Sequence, residues 1–192
     1  MEELNTKFYK DPNTGNLVIE GAKLVFRNFA GVEKQYNEKG KRNVQVVVPD
    51  EVVESLRADG WNVTTRVIPA IDQEKPTNLL KLNLNYRVNP DGTPDGRNPK
   101  FYIISGDKKV RTLPTMKDLG DGMSPCIYDQ CKITNCDIEV RPYHYDKNNP
   151  NKVSAYIEQI NIEIALSALD LKYYDEVNDI SSSSTDEDDL PF

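Results

Sequence analysis

The stretch NLLKLNLNYRV, residues 78–88, decides the fold class. Leu80, Leu82, Leu84, Tyr86 and Val88 alternate with Lys81, Asn83, Asn85 and Arg87. A period of two puts the first set on one face of a strand and the second set on the other. One apolar face and one polar face mark a strand with a single side against a core. The same reading extends outward in both directions. LVIEGAKLVFRNF (17–29) reads as a long strand, with Leu24 and Phe26 on one face and Lys23, Val25, Arg27 and Phe29 on the other. VQVVV (44–48), NVTTRVI (62–68), KFYIIS (100–105), KITNCDIEVRPY (132–143) and VSAYIEQINIEIAL (153–166) supply further strands. The single helix is PDEVVESLRADGW, 49–61. There Asp50 can cap, Val52, Val53 and Leu56 form a stripe, and Gly60 stops the helix, so that Trp61 packs back near Leu56. Residues 1–16 read as a loose lead-in and 106–132 as irregular. About seven strands and one short helix predict a mainly β chain, a small β-barrel or sandwich.

The formal net charge is −7, but it is unevenly placed. Seven of the 31 acids fall at Asp175, Glu176, Asp179, Asp186, Glu187, Asp188 and Asp189, with no Lys or Arg among residues 175–192. The preceding residues hold the other 24 acids against all 24 bases, so the body is neutral and can present basic faces. The division expected is a domain over 1–174 and a disordered acidic tail over 175–192. No signal peptide or transmembrane run is visible, which predicts a cytoplasmic protein without a membrane partner. Three cysteines fit free thiols in a reducing compartment.

Few residues point to catalysis. There is one histidine, no P-loop, no G-x-S-x-G and no H-E-x-x-H, so an enzyme is not expected, nor a cofactor. Cys126, Cys131 and Cys136 with His144 could in principle surround zinc. Their C-x4-C-x4-C spacing is wrong for a knuckle, and Cys136 alternates with Ile138 and Val140, so buried thiols and no metal are expected. DGTPDG (91–96) imitates the start of a calcium loop, but the twelfth position is Tyr102 and the closing carboxylate is missing; a turn explains it.

Bases interleaved with aromatics are the stronger signal. They form three clusters: Arg27, Phe29, Tyr36, Lys39, Lys41 and Arg42; Arg97, Lys100 and Tyr102; and Arg141, Tyr143, His144 and Tyr145, with Lys147 and Lys152 nearby. Cations follow phosphates and aromatic faces take splayed bases, which is the mixture a single strand of nucleic acid needs. Each cluster alone also has an ordinary reading as rim packing or solvated loop. Trp61 is explained by the helix cap and stays outside the site.

Two further features carry a resemblance. DEDDLPF (186–192) resembles the acidic tip of bacterial single-stranded DNA-binding proteins. The body resembles a phage- and prophage-encoded single-stranded DNA-binding family with an OB-fold, through GAKLVFRNFAG, GKRN, VVVPDEVVESLRADGWNV, NPKFYIIS and IEVRPYHYDKNNPNKVSAYIEQINI. One departure is Val44, where the family often carries an aromatic. The resemblance implies an OB-fold-like barrel and assigns DNA contact to Arg27, Phe29, Lys41, Arg42, Arg141 and Tyr143. Tyr36, Lys39, Arg97, Lys100, Tyr102 and Tyr145 rest on residue chemistry. It also implies that the chain coats and protects single-stranded DNA in replication, recombination and repair. Asp186, Glu187, Asp188, Asp189, Leu190, Pro191 and Phe192 would dock replication and recombination proteins, and homo-oligomerisation is left open. The alternatives are a β-barrel adaptor or phage structural protein with a solubilising tail, and a duplex-binding or annealing protein of the same fold.

Overall fold

A computed structural model describes residues 6–87, 89–91, 93, 95–105, 110–112, 119–120, 122–146, 148–149 and 152–165. The tail from 175 and its DEDDLPF segment, with Val88 and Lys147, lie outside the described residues. The chain is mainly β. Its strands are β1 (Lys7–Lys10), β2 (Leu17–Glu20), β3 (Leu24–Asn28), β4 (Arg42–Val48), β5 (Val63–Ile68), β6 (Asp72–Leu84), β7 (Lys100–Ser105), β8 (Val110–Thr112), β9 (Ile133–His144) and β10 (Val153–Ile164). Among the described residues two helices accompany them, α1 (Asp50–Ala58) and α2 (Ile127–Gln130).

The hydrogen-bonded order is the open path β1-β2-β9-β10-β6-β4-β3, with β5 on β6 and β7 on β10. Strands β2 and β3 stand near opposite ends of that path, yet only residues 21–23 separate them in the chain. One half of this run pairs with β9 and the other with β4, which curls the sheet back on itself. The inner face carries the alternating apolar residues, among them Val44, Val46, Leu80, Leu82, Phe101, Ile138, Val140, Ile160 and Ile162, all buried. Their removal from water is the main stabilising term. Strand β10 is the hub. Its first half runs parallel to β6 and its second half parallel to β7, while β9 pairs antiparallel along nearly its whole length.

The alternation read from Leu80 to Leu84 holds, although Asn78 and Leu79 just before it are buried too, and Cys136 does point inward, fully buried. Several expectations are corrected. The lead-in contains β1, and the stretch read as irregular contains β8 and α2. Helix α1 takes Pro49 as its N-cap, without a side-chain cap. Asp50 sits in the first turn and accepts a 2.5 Å hydrogen bond from Asn78 Nδ2. The helix ends as expected. Gly60 is left-handed at φ 87°, Trp61 N–H donates to the Leu56 carbonyl at 2.9 Å, and the indole is buried.

The long strand 17–29 does not keep one alternation. Phe26 takes φ 49°, and the register shifts between Val25 and Asn28. This bulge turns Phe26 outward, 48% exposed, while Leu24 packs against the core. Past it, Phe29 swings inward and is fully buried, 5.4 Å from the Phe101 ring.

Burial sets the thiol chemistry. It pushes the Cys126 thiol up to about 11, with the Asp129 carboxylate adding to the effect, and it raises Cys136 further and Cys131 as well. Only Cys131 is even half-accessible. An alkylating reagent at mildly alkaline pH is expected to label Cys131 first and to leave Cys136 intact until the chain unfolds. Equal labelling of all three in the folded protein would contradict this packing.

Candidate nucleic-acid interface

On the outer face of the sheet, strand pairing sets polar and aromatic side chains in rows. Asn83 on β6 lies opposite Tyr156 on β10, and Tyr156 lies opposite Arg141 on β9. Directly opposed residues share a face, so the three form one row across the sheet. The next row brings Tyr143 opposite Ser154. Tyr143 is 51% exposed and meets the Tyr156 ring edge-on at 5.9 Å and 89°. Each ring thus holds the other in one orientation. Farther along β10, Lys100 and Tyr102 of β7 lie opposite Gln159 and Asn161. Their neighbours Phe101 and Ile103 are buried, which places Lys100 and Tyr102 outward.

A cleft of about 190 Å³ opens beside Tyr156, lined by Asn85, Arg87, Arg97, Pro99, Arg141 and Glu158 among others. Glu158 is here because of a bulge. Ile157 pairs with Val140 and Gln159 with Glu139, so Glu158 is the extra residue. Its carboxylate accepts from Arg141 Nε at 3.2 Å. Arg97 pairs with Asp95 at 2.7 Å, and its hydrogen bonds hold that carboxyl down at about 2. Both arginine side chains are more than half exposed, so neither pair adds much stability and both cations can be shared with an incoming anion.

The 30–41 loop stands at the edge of this face. Asn43 Nδ2 on β4 donates to Asn37 Oδ1 at 2.6 Å, and Asn43 lies opposite Asn83. The loop is built, with its neck closed by Gly40 N–H donating to the Gly31 carbonyl at 2.8 Å. Gly31 is left-handed at φ 69°, and a Cβ there would stand 2.9 Å from the Gly40 backbone. A Gly31→Ala exchange is therefore expected to open the neck and lower the melting temperature by several degrees, corresponding to about 1–2 kcal/mol. Tyr36 projects from the loop at 88% exposure, with Lys39 and Lys41 exposed beside it. Lys41 pairs with Glu38 at 2.7 Å, and Lys39 Nζ lies 2.9 Å from Met123 Sδ.

Three members of the first sequence cluster serve the fold. Arg42 is buried. Its guanidinium donates to the Phe29 carbonyl, to the Leu119 carbonyl at 3.1 Å and to the Gly120 carbonyl at 2.9 Å. Burial lowers its affinity for a proton without discharging it. Arg27 donates to the carbonyls of Tyr128 and Cys131 at 3.0 and 2.8 Å, which pins α2 to β3. Asp129 completes the clamp by accepting from the Phe29 and Ala30 amides at 2.5 and 3.2 Å. Phe29 belongs to the core and offers no face to a base. Val44 is also fully buried, so its position provides no stacking surface. In the third cluster Tyr145 is 56% exposed at the end of β9.

The outer face also gathers residues not singled out from the sequence: Arg87, Tyr156, Phe26, Arg66 and Lys81. The polar side of the 78–88 alternation carried the signal for Lys81 and Arg87; strand neighbours far apart in sequence decide the others. A larger cavity of about 290 Å³ lies between the β1–β2 hairpin, α1 and the end of β9. Phe8, Leu17, Val52, Leu56, Trp61 and Pro142 give it an apolar part, with Lys10, Ser55, Asp59 and His144 as its polar part, and its single lysine contrasts with the three arginines of the outer cleft.

The family described as "Putative phage ssDNA-binding domain" matches residues 7–189. The chain belongs to this family. The match spans the described body and most of the acidic tail. Among solved structures, the chain is similar to the single-stranded DNA-binding protein of bacteriophage Enc34 in complex with ssDNA, at 8% identity and a TM-score of 0.45, covering 87% of this chain and 98% of that one. The C-terminal truncation of that protein gives 8% identity, a TM-score of 0.42 and coverage of 81% and 88%. The gp2.5 single-stranded DNA-binding protein of bacteriophage T7 gives 10% identity, a TM-score of 0.33 and coverage of 97% and 100%. No curated protein matches the sequence. Among the described residues, no helix is long and apolar enough to cross a membrane.

Proposed function

We propose that the outer face of the curled sheet, with the 30–41 loop at its edge, holds single-stranded DNA with little sequence preference. The observation that carries this is the row Asn83, Tyr156 and Arg141 with Tyr143 against Tyr156, beside a cleft bearing three arginines. Bases stack on Tyr156, Tyr143, Tyr102 and Tyr36. Phosphates meet Arg87, Arg97, Arg141, Lys100, Lys39 and Lys41. Cation binding to phosphates releases counterions, so affinity falls as salt rises. Double substitution Arg97→Ala/Arg141→Ala is expected to weaken oligo-dT binding and flatten the salt slope by about 1.4, two single-strand phosphate contacts. An unchanged slope would remove these arginines from the path. Glu158→Gln works in the opposite sense. It releases Arg141 from its carboxylate partner, so binding tightens, while the number of phosphate contacts and hence the salt slope stay nearly the same.

The protein coats and protects single-stranded DNA during phage replication and recombination in the host cytoplasm, as a binding protein without catalysis. Ser181–Ser184 and Thr185 act as a spacer. Asp186–Asp189 present charge to a basic pocket on a replication partner, with Leu190, Pro191 and Phe192 as its apolar anchor. Removing residues 175–192 is expected to abolish partner capture while leaving oligo-dT binding intact or stronger.

A further inference from the structure

Phe26 is the one non-glycine residue of left-handed backbone among the described residues, at φ 49°. For an L-residue this conformation is strained, and a bulky aromatic is an uncommon occupant. Strain of this kind persists only where the surrounding structure enforces it, and it concentrates at functional sites. Its consequence here is specific. The bulge between Val25 and Asn28 breaks the alternation of β3 and lifts the Phe26 ring out of the core. A regular strand would have turned that ring inward beside Leu24, where burial would have stabilised it.

The exposed ring is held in place. The Arg66 guanidinium of β5 lies over it, 5.2 Å from the centroid. Arg66 Nη2 is in turn 3.4 Å from Gln45 Oε1 on β4. Gln45 lies opposite Lys81 on β6, one row along the sheet from Asn83 and Tyr156. From β3 through β4 and β6 to β10 is three strand spacings, about 14 Å along the sheet. The fold thus places a second aromatic–cation unit on the same outer face, across Lys81 from the first.

We propose that Phe26 and Arg66 form a further binding unit for single-stranded DNA, in which Phe26 stacks a base and Arg66 takes the adjoining phosphate. The strand of DNA then crosses β10, β6, β4 and β3 rather than ending at the arginine cleft. This rests on the reading of the outer face as the DNA-binding face, and it adds a position that the sequence clusters did not contain.

The test uses full-length protein, labelled oligo-dT and a salt series, with Phe26→Leu, Phe26→Gly and Arg66→Ala. Losing one stacked base is expected to weaken binding by roughly 5- to 150-fold in both Phe26 variants, with the salt slope unchanged. Arg66→Ala is expected to flatten the slope by about 0.7. Phe26→Gly carries the second readout. Glycine tolerates φ 49°, so its melting temperature should equal or exceed that of the parent while its DNA affinity falls. Parent-like binding by Phe26→Leu overturns the proposal, as does a loss of affinity that tracks a fall in melting temperature. If the parent protein itself fails to bind, the DNA-binding reading of the whole face fails with it; parent binding with unaffected Phe26 variants sinks this unit alone.

Discussion

Replacing Tyr156 by Ala is expected to weaken oligo-dT binding by roughly 5- to 150-fold, the effect of losing one stacked base. The salt dependence should not change, because no phosphate contact is lost. Tyr156 is the point where the interface converges. It stands opposite Asn83 on one side and Arg141 on the other, it borders the arginine cleft, and its ring fixes the orientation of Tyr143. Its removal therefore takes away one platform and loosens a second. Tyr156→Phe should bind nearly as the parent does, since the ring face remains. Equilibrium anisotropy at several salt concentrations reads all of this. A Tyr156→Ala protein that binds normally would move the bases elsewhere.

Arg42→Ala is expected to act on the fold. It leaves the carbonyls of Phe29, Leu119 and Gly120 without their shared donor. Each buried acceptor left unsatisfied costs about 1–3 kcal/mol, so the total is on the order of 3 kcal/mol or more. Denaturant unfolding should show this as a lower midpoint with little change in slope. Arg42→Lys should also destabilise, because an ammonium cannot reach three carbonyls in a fork geometry. If Arg42 were instead a phosphate ligand, Arg42→Ala would keep its stability and lose salt dependence. The two readouts separate the roles.

Arg42 also illustrates what the sequence makes legible. In GKRN it looks like one more loop base. Yet it shares the even positions of Val44, Val46 and Val48, all of them buried, so the alternation already pointed it inward. Charge outweighed periodicity in the reading, and a buried guanidinium that satisfies carbonyls is the case where that weighting fails. Strands β7, β9 and β10 were legible to within a residue or two, because alternation is a local property. So was the end of α1, where Gly60 and Trp61 do what their types suggest. Phe26 was not legible. Nothing in LVFRNF signals a left-handed phenylalanine, and the bulge it creates reversed the expected faces of both Phe26 and Phe29. Tyr156 lay on a visible polar side, but its importance comes from the parallel pairing of β10 with β6, between residues more than seventy positions apart. Such pairings are set by the whole core and leave no local trace.

Photocrosslinking tests the placement of the DNA most directly. An oligo-dT strand carrying 5-iodouracil is irradiated with the full-length protein, and the modified residues are mapped by mass spectrometry. The outer-face account predicts adducts at Tyr143, Tyr156 or Tyr102, with Tyr36 at the loop edge. Adducts confined to Phe8 or Trp61, around the larger cavity, would contradict it and move the DNA to the opposite side of the sheet.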